Sequence, residues 1–223
     1  MDEILRRAGG KGSELSPELL ERIGRSMGPV TAVRPLAAPW VLAGGLVLAC
    51  VAIAAAVAAG LGMYGIQRLG GVERAVIFPV LGGLLWLSAA VAVSHSIPGS
   101  RRRVGPAALV AGGTLVLLAV FAILFHDYGT VRFVPGGVAC LRAGLITAIP
   151  AGAAIWLILR KGFAVNPAAA GLVAGALAGL TGATMLELHC PNFEVLHVML
   201  WHTAVVPIAG GAGAWIARRV SGK

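Results

Sequence analysis

The sequence predicts an all-α polytopic membrane protein with six transmembrane helices and both termini in the cytoplasm. Two observations carry the fold and a third carries the orientation. First, 58% of the 223 residues are hydrophobic and another 32 are Gly, while only 12% are charged, about half the ~25% of a soluble domain. So few charges cannot cover a water-soluble surface, which excludes a cytosolic globule and a disordered chain alike. Second, the apolar residues fall into six runs of helical length without the period-2 alternation of a membrane barrel. Third, Lys and Arg are unevenly shared between the loops.

The runs are Pro39 to Gly62, Ala75 to Ser96, Val104 to Phe125, Gly137 to Leu159, Pro167 to Leu188 and Val195 to Ala217. A helix of such length spans ~33 Å at ~1.5 Å per residue, enough for a ~30 Å hydrocarbon core. The chain thus divides into a cytoplasmic amphipathic tail (1–38), a six-helix transmembrane domain (39–217) and a basic cytoplasmic C-terminus (218–223). With the N-terminus inside, 14 of the 18 basic residues lie on the inner side, among them Arg101, Arg102, Arg103, Arg160, Lys161, Arg218, Arg219 and Lys223. Only Arg68, Arg74, Arg132 and Arg142 lie outside. The net charge of +9 is then read as topology and contact with anionic headgroups, not as direct nucleic-acid binding, because the basic residues are scattered and lack interleaved aromatics. The tail has no signal-peptide pattern.

Gly171, Gly175 and Gly179 in the fifth run, with Gly182 beyond, form a stripe that lets a neighbouring helix approach closely, and Ala209 to Gly213 make a similar patch in the sixth. Pro79, Pro150 and Pro207 fall inside runs and are read as packing features. No run carries an Asp, Glu, Lys or Arg near its middle, which disfavours an ion or proton carrier.

Three cysteines differ in their place. Cys50 sits in the middle of the first run and reads as a packing residue. Cys140 opens the fourth run and Cys190 follows the fifth, and the turn joining those runs lies midway between them. Antiparallel helices leaving one turn regain equal height after equal numbers of residues, so the two thiols are expected level with each other on the outer face. Disulfide geometry demands Cα atoms closer than packed helix axes, so a bridge has to form where backbone bends, and Pro135 to Gly137 and Pro191 supply bends. The expected Cys140 to Cys190 bridge closes a loop of about 50 residues, worth roughly 4 kcal/mol, in an oxidising periplasm. Geometry alone does not separate a permanent staple from a reversible sensor, but His189 beside Cys190, when protonated, would lower that thiol's pKa and favour reactivity.

Four histidines, His126, His189, His197 and His202, also fall near the outer face. With Cys140, Cys190, Asp127, Glu187 and Glu194 they form a set of soft and borderline donors suited to Zn²⁺ or a similar ion. His189, His197 and His126 are the candidate metal ligands. Their spacing matches no established zinc motif, and hydrogen bonding at the interface or within the loop is the favoured reading of such histidines. No resident cofactor is expected, although a sensed ion such as zinc or cadmium fits these side chains.

In the tail, Ser16, Pro17 and Glu18 carry helix-start signals, after which Leu19, Leu20, Ile23 and Met27 share one face. A helix of about ten residues is marginal in water, so this one needs a surface, either the headgroup layer or a docked cytoplasmic protein.

Gly137-Val138-Ala139-Cys140-Leu141, His189-Cys190-Pro191, His197 and Trp201-His202 together resemble the NrsF-type family of six-span bacterial membrane proteins. Its characterised members are negative regulators, anti-sigma factors, of extracytoplasmic-function sigma factors. The resemblance covers residues 40 to 217 and is most specific in the last 85 or so. It implies a multi-pass protein of the bacterial inner membrane, not an enzyme, whose tail holds a sigma factor while Cys140 and Cys190 register metal or oxidative stress outside. Asp2, Glu3, Ile4 and Leu5 look like the acidic and aliphatic opening of such proteins, and with Leu19, Leu20 and Ile23 they are the candidate docking residues. The glycines at 9, 10 and 12 depart from that pattern. The alternatives are a small membrane thiol oxidoreductase, which lacks a close Cys-x-x-Cys pair, and a small transporter.

Overall fold

The computed structural model describes Glu18, Glu21, Arg22 and residues 38–97, 104–130, 132–160 and 166–221. Glu18, Glu21 and Arg22 are helical, and Arg22 Nη2 lies 3.4 Å from Glu18 Oε1 on an exposed face. The docking candidates Asp2, Glu3, Ile4, Leu5, Leu19, Leu20 and Ile23 lie outside the described residues.

From residue 38 onward the described chain is helical, with six helices long and apolar enough to cross a membrane. They are α1 (Pro39–Leu61), α3 (Gly71–Ser96), α4 (Pro106–Leu124), α5 (Phe133–Leu159), α6 (Pro167–His189) and α7 (Val195–Ser221), and a short α2 (Tyr64–Arg68) joins α1 to α3. Proline stands in the first turn of α1, α4 and α6, where its missing N–H has no intrahelical partner to lose. At α6 the Asn166 side chain also accepts a hydrogen bond from Ala169 N at 3.1 Å.

Several boundaries differ from those read in the sequence. α3 begins at Gly71 and α5 at Phe133, each four residues earlier than the apolar run, because polar Glu73, Arg74 and the small Pro135-Gly136 segment are helical despite their low hydropathy. α7 runs on through Arg218 and Arg219 to Ser221, so part of the basic C-terminus is helix. The loop helix α2 has no apolar run to announce it. Arg219 lies over the Trp215 ring at 5.3 Å, and Arg160 over Trp156 at 5.7 Å, at the bundle end where α5 and α7 finish. Such aromatic and cationic pairs suit the membrane interface.

α6 is the centre of the bundle. Two-thirds (67%) of its apolar window is buried within the protein, against 22% for α4. Its glycine stripe explains how this comes about. A Cβ on Gly175 would strike the Ala209 carbonyl of α7, one on Gly179 the Val205 carbonyl, and one on Gly171 the Gly213 carbonyl. α6 and α7 therefore touch backbone to backbone, the close approach that small residues allow in lipid. On its other side, Gly182 rests on the Gly144 carbonyl of α5. Within the spans, Thr147, Thr181 and Thr184 each donate to the carbonyl four residues earlier at 2.8 to 3.0 Å, while the Thr114 and Thr203 hydroxyls are buried without a partner. Cys50 is buried among Leu46, Leu81 and Leu177, as a packing residue should be.

Candidate functional site

The site lies at the end of the bundle where α6 finishes and α5 and α7 begin. Cys190 is the residue that ends α6, its N–H bonded to Leu186 O at 2.7 Å, and Cys140 stands in the second turn of α5. Their sulfurs are 3.4 Å apart, both as thiols. The structure thus brings together two residues 50 positions apart, at the equal height expected from the turn between their helices. A disulfide's S–S length is roughly 2.05 Å, so the thiols stand about 1.4 Å beyond bonding distance.

Two histidines complete the group. Cys190 Sγ is 3.6 Å from His197 Nε2. The His197 and His202 rings meet edge to face with centroids 5.3 Å apart. On a regular α-helix, residues five apart are turned about 140° from each other and cannot share a face. α7 resolves this by opening into a π turn over Val198–His202, whose i→i+5 bonding stacks residues five apart. One donor atom from each of Cys140, Cys190, His197 and His202 lies within 4.8 Å of the other three.

Glu187, one turn before Cys190 on α6, fixes the second histidine. Its Oε1 is 2.7 Å from His202 Nδ1, with both side chains fully buried. The bond leaves His202 Nε2 without a hydrogen-bond partner, and Glu187 Oε2, His197 Nδ1 and Trp201 Nε1 are likewise buried without one. Leaving such groups unsatisfied is costly, and their concentration at one end of a protein otherwise economical with polar groups marks the place. Cys190 lies beyond the end of its span. Its thiol is pushed above the ordinary value of 9.0, first by the hydrogen bond shared with Cys140 and then by burial, against the opposing influence of His197 and His202.

The surrounding segments close over this group. Gly65 of α2 sits against the Glu187 and Cys190 carbonyls, where a Cβ would not fit. Arg68 Nη1 reaches the Pro191 carbonyl at 3.4 Å, and His189 Nδ1 meets the Gly62 carbonyl at 2.7 Å. From the other side, Val195 N donates to Asp127 O at 2.7 Å, while Phe125 and Phe193 stack at 5.2 Å. Trp201 rests where a Cβ on Gly137 would be.

Of the candidate metal ligands, the structure places His197 with the cysteines. It turns His189 toward the α1–α2 connection, because a residue adjacent to Cys190 points about 100° round the helix. His126 is exposed and stands outside the group. Asp127 and Glu194 belong to a loop pairing, Asp127 with Glu194 as an isolated bridge. His202 and Glu187 are the more informative residues, and the His-x4-His spacing relates His202 to His197 only once the π turn is known.

No curated protein and no solved structure matches the chain. A family model described as negative regulator of sigma F matches residues 28–221, which include every helix from α1 to α7. The chain therefore belongs to the NrsF family, and with it to the negative regulators of a sigma factor.

Proposed function

We propose that this chain holds an extracytoplasmic-function sigma factor at the bacterial inner membrane through its N-terminal tail, and releases it when the Cys140 and Cys190 pair changes state on the periplasmic side. Family membership supports the sigma factor as partner. The unequal sharing of Lys and Arg supports a cytoplasmic tail and a periplasmic thiol pair. The observation that carries the reading is the 3.4 Å approach of two thiols at the end of the bundle's central helix. A signal at one side of a membrane shifts the other only if the two states differ in their contacts. Joining or parting α5 and α6 at Cys140 and Cys190 is such a difference. α7, locked to α6 through Gly171, Gly175 and Gly179, moves with it.

The test is retention of the cognate sigma factor by membranes. Deletion of residues 1–38 should release it, and Cys140→Ser with Cys190→Ser should hold it while abolishing release under thiol oxidation or cadmium. A sigma factor that stays bound without the tail overturns the docking assignment. An impermeant maleimide that fails to label His126→Cys, an exposed position at the same end of the bundle, in intact spheroplasts overturns the topology.

A further inference from the structure

We infer that Cys140, Cys190, His197 and His202 form a four-coordinate site for a thiophilic divalent cation of the zinc class, with Glu187 as the residue that aims His202 into it. The inference deepens the proposed reading, on which its regulatory meaning rests, by naming what the thiol pair holds. Three geometric observations carry it.

The first is the spacing of the donors. In a tetrahedron with metal–sulfur arms of ~2.3 Å and metal–nitrogen arms of ~2.05 Å, the sulfur–sulfur edge is about 3.8 Å and the sulfur–nitrogen edge about 3.6 Å. The protein has 3.4 Å between the sulfurs and 3.6 Å from Cys190 Sγ to His197 Nε2. All four donors fit within 4.8 Å of one another. Two edges already match, and the others close onto an ion with a shift of about 1.5 Å at most.

The second is the unpartnered nitrogen. His202 is fully buried, its Nδ1 is occupied by Glu187, and its Nε2 has no hydrogen-bond partner. A buried imidazole oriented by a carboxylate on one nitrogen and open on the other is the arrangement of a metal-bound histidine, in which the carboxylate sets the tautomer and the ring direction. The third is the π turn, a departure from the regular helix whose effect is to put His197 and His202 on one face. Two Cys and two His with no vacant position describe a closed, structural type of site.

Binding balances without any change of oxidation state. With both imidazoles neutral, the two S–H bonds are broken, two metal–sulfur and two metal–nitrogen bonds form, and two protons leave to solvent; an imidazolium at His202 gives up its Nε2 proton as a third. A closed site also ties α5, α6 and α7 together at one point, so gain or loss of the ion is a discrete change in how these helices are joined.

The experiment uses the full chain, purified in detergent and reduced, titrated with Co²⁺ and then with Zn²⁺ as competitor, with no sigma factor present. One Co²⁺ per chain should be bound, with the intense visible bands of tetrahedral coordination and sulfur-to-cobalt charge transfer, and Zn²⁺ should displace it. Cys140→Ser and His202→Gln should each remove these bands. Glu187→Gln should bind about 10- to 100-fold more weakly, while His126→Ala should bind as the parent does. Thermal melting of the metal-free variants separates lost ligation from lost folding. Absence of the thiolate bands in the parent, or unchanged affinity in a correctly folded His202→Gln or Cys140→Ser, overturns the site. Loss of cobalt binding with sigma retention intact refutes this inference alone. Normal cobalt binding in a chain that holds no sigma factor refutes the proposed function alone.

Discussion

The two halves of α6 use opposite means to meet the same neighbours. Along Gly171, Gly175 and Gly179 the helix is stripped of side chains, and its backbone lies directly against that of α7. At its other end, Glu187 and Cys190 face α7 across a fully buried polar group, and α7 itself departs from the α-helix to meet them. The glycine half has only van der Waals contact to offer, and that is sufficient for a membrane helix pair. The polar half costs desolvation and leaves buried atoms unsatisfied. A protein that packs well through small residues has no packing reason to bury Glu187, so the contrast supports the proposal that the polar end serves more than packing.

Substitutions at the two ends should separate these roles. The largest effect is expected from Gly175→Leu, whose side chain has the Ala209 carbonyl in its place. Overpacking against backbone should cost about 3 kcal/mol, the upper end of the usual range, read as loss of a monodisperse folded species in detergent, and a variant that melts like the parent would refute the backbone contact. Glu187→Leu is next, because it leaves His202 Nδ1 buried without its partner. A loss of about 1–3 kcal/mol is expected, with Glu187→Gln closer to the parent because it keeps an acceptor. Thermal melting of the metal-free proteins measures both, and equal melting of Leu and parent would show that the pair contributes nothing. The smallest effect sharpens the comparison within one helix. Gly211 of α7 has nothing within 4 Å of its Cβ position, so Gly211→Ala should raise stability slightly, by about 0.5–1 kcal/mol. Destabilisation there would mean that the glycine-lined contact reaches farther round α7 than the structure has it.

Much of this architecture was legible without coordinates. The six spans follow from unbroken apolar length, and the glycines of α6 from a four-residue period that only a helix makes meaningful. The level placement of Cys140 and Cys190 followed from counting outward from one turn. The rest was not legible for identifiable reasons. His189 adjoins Cys190 in sequence and so looked like its partner, yet helical rotation sends it to Gly62. His202 is separated from His197 by an interval that an ordinary helix places on different faces, and a local π turn is a tertiary accommodation without a residue signature. α2 is five residues long, too short for any periodicity, and its Gly65 rests against the Glu187 and Cys190 carbonyls at the end of α6.

Composition, apolar run length and the distribution of Lys and Arg depend on the solvent each residue meets, and they determined by themselves that this chain has six helices long and apolar enough to cross a membrane, with an expected orientation. Which side chains share a site is a question of rotation and register between helices, and no one-dimensional pattern contains it. Only the tertiary structure decided that Cys140, Cys190, His197 and His202 converge, with Glu187 behind them, because that convergence depends on three helices meeting at one end and on one of them unwinding by a residue to do so.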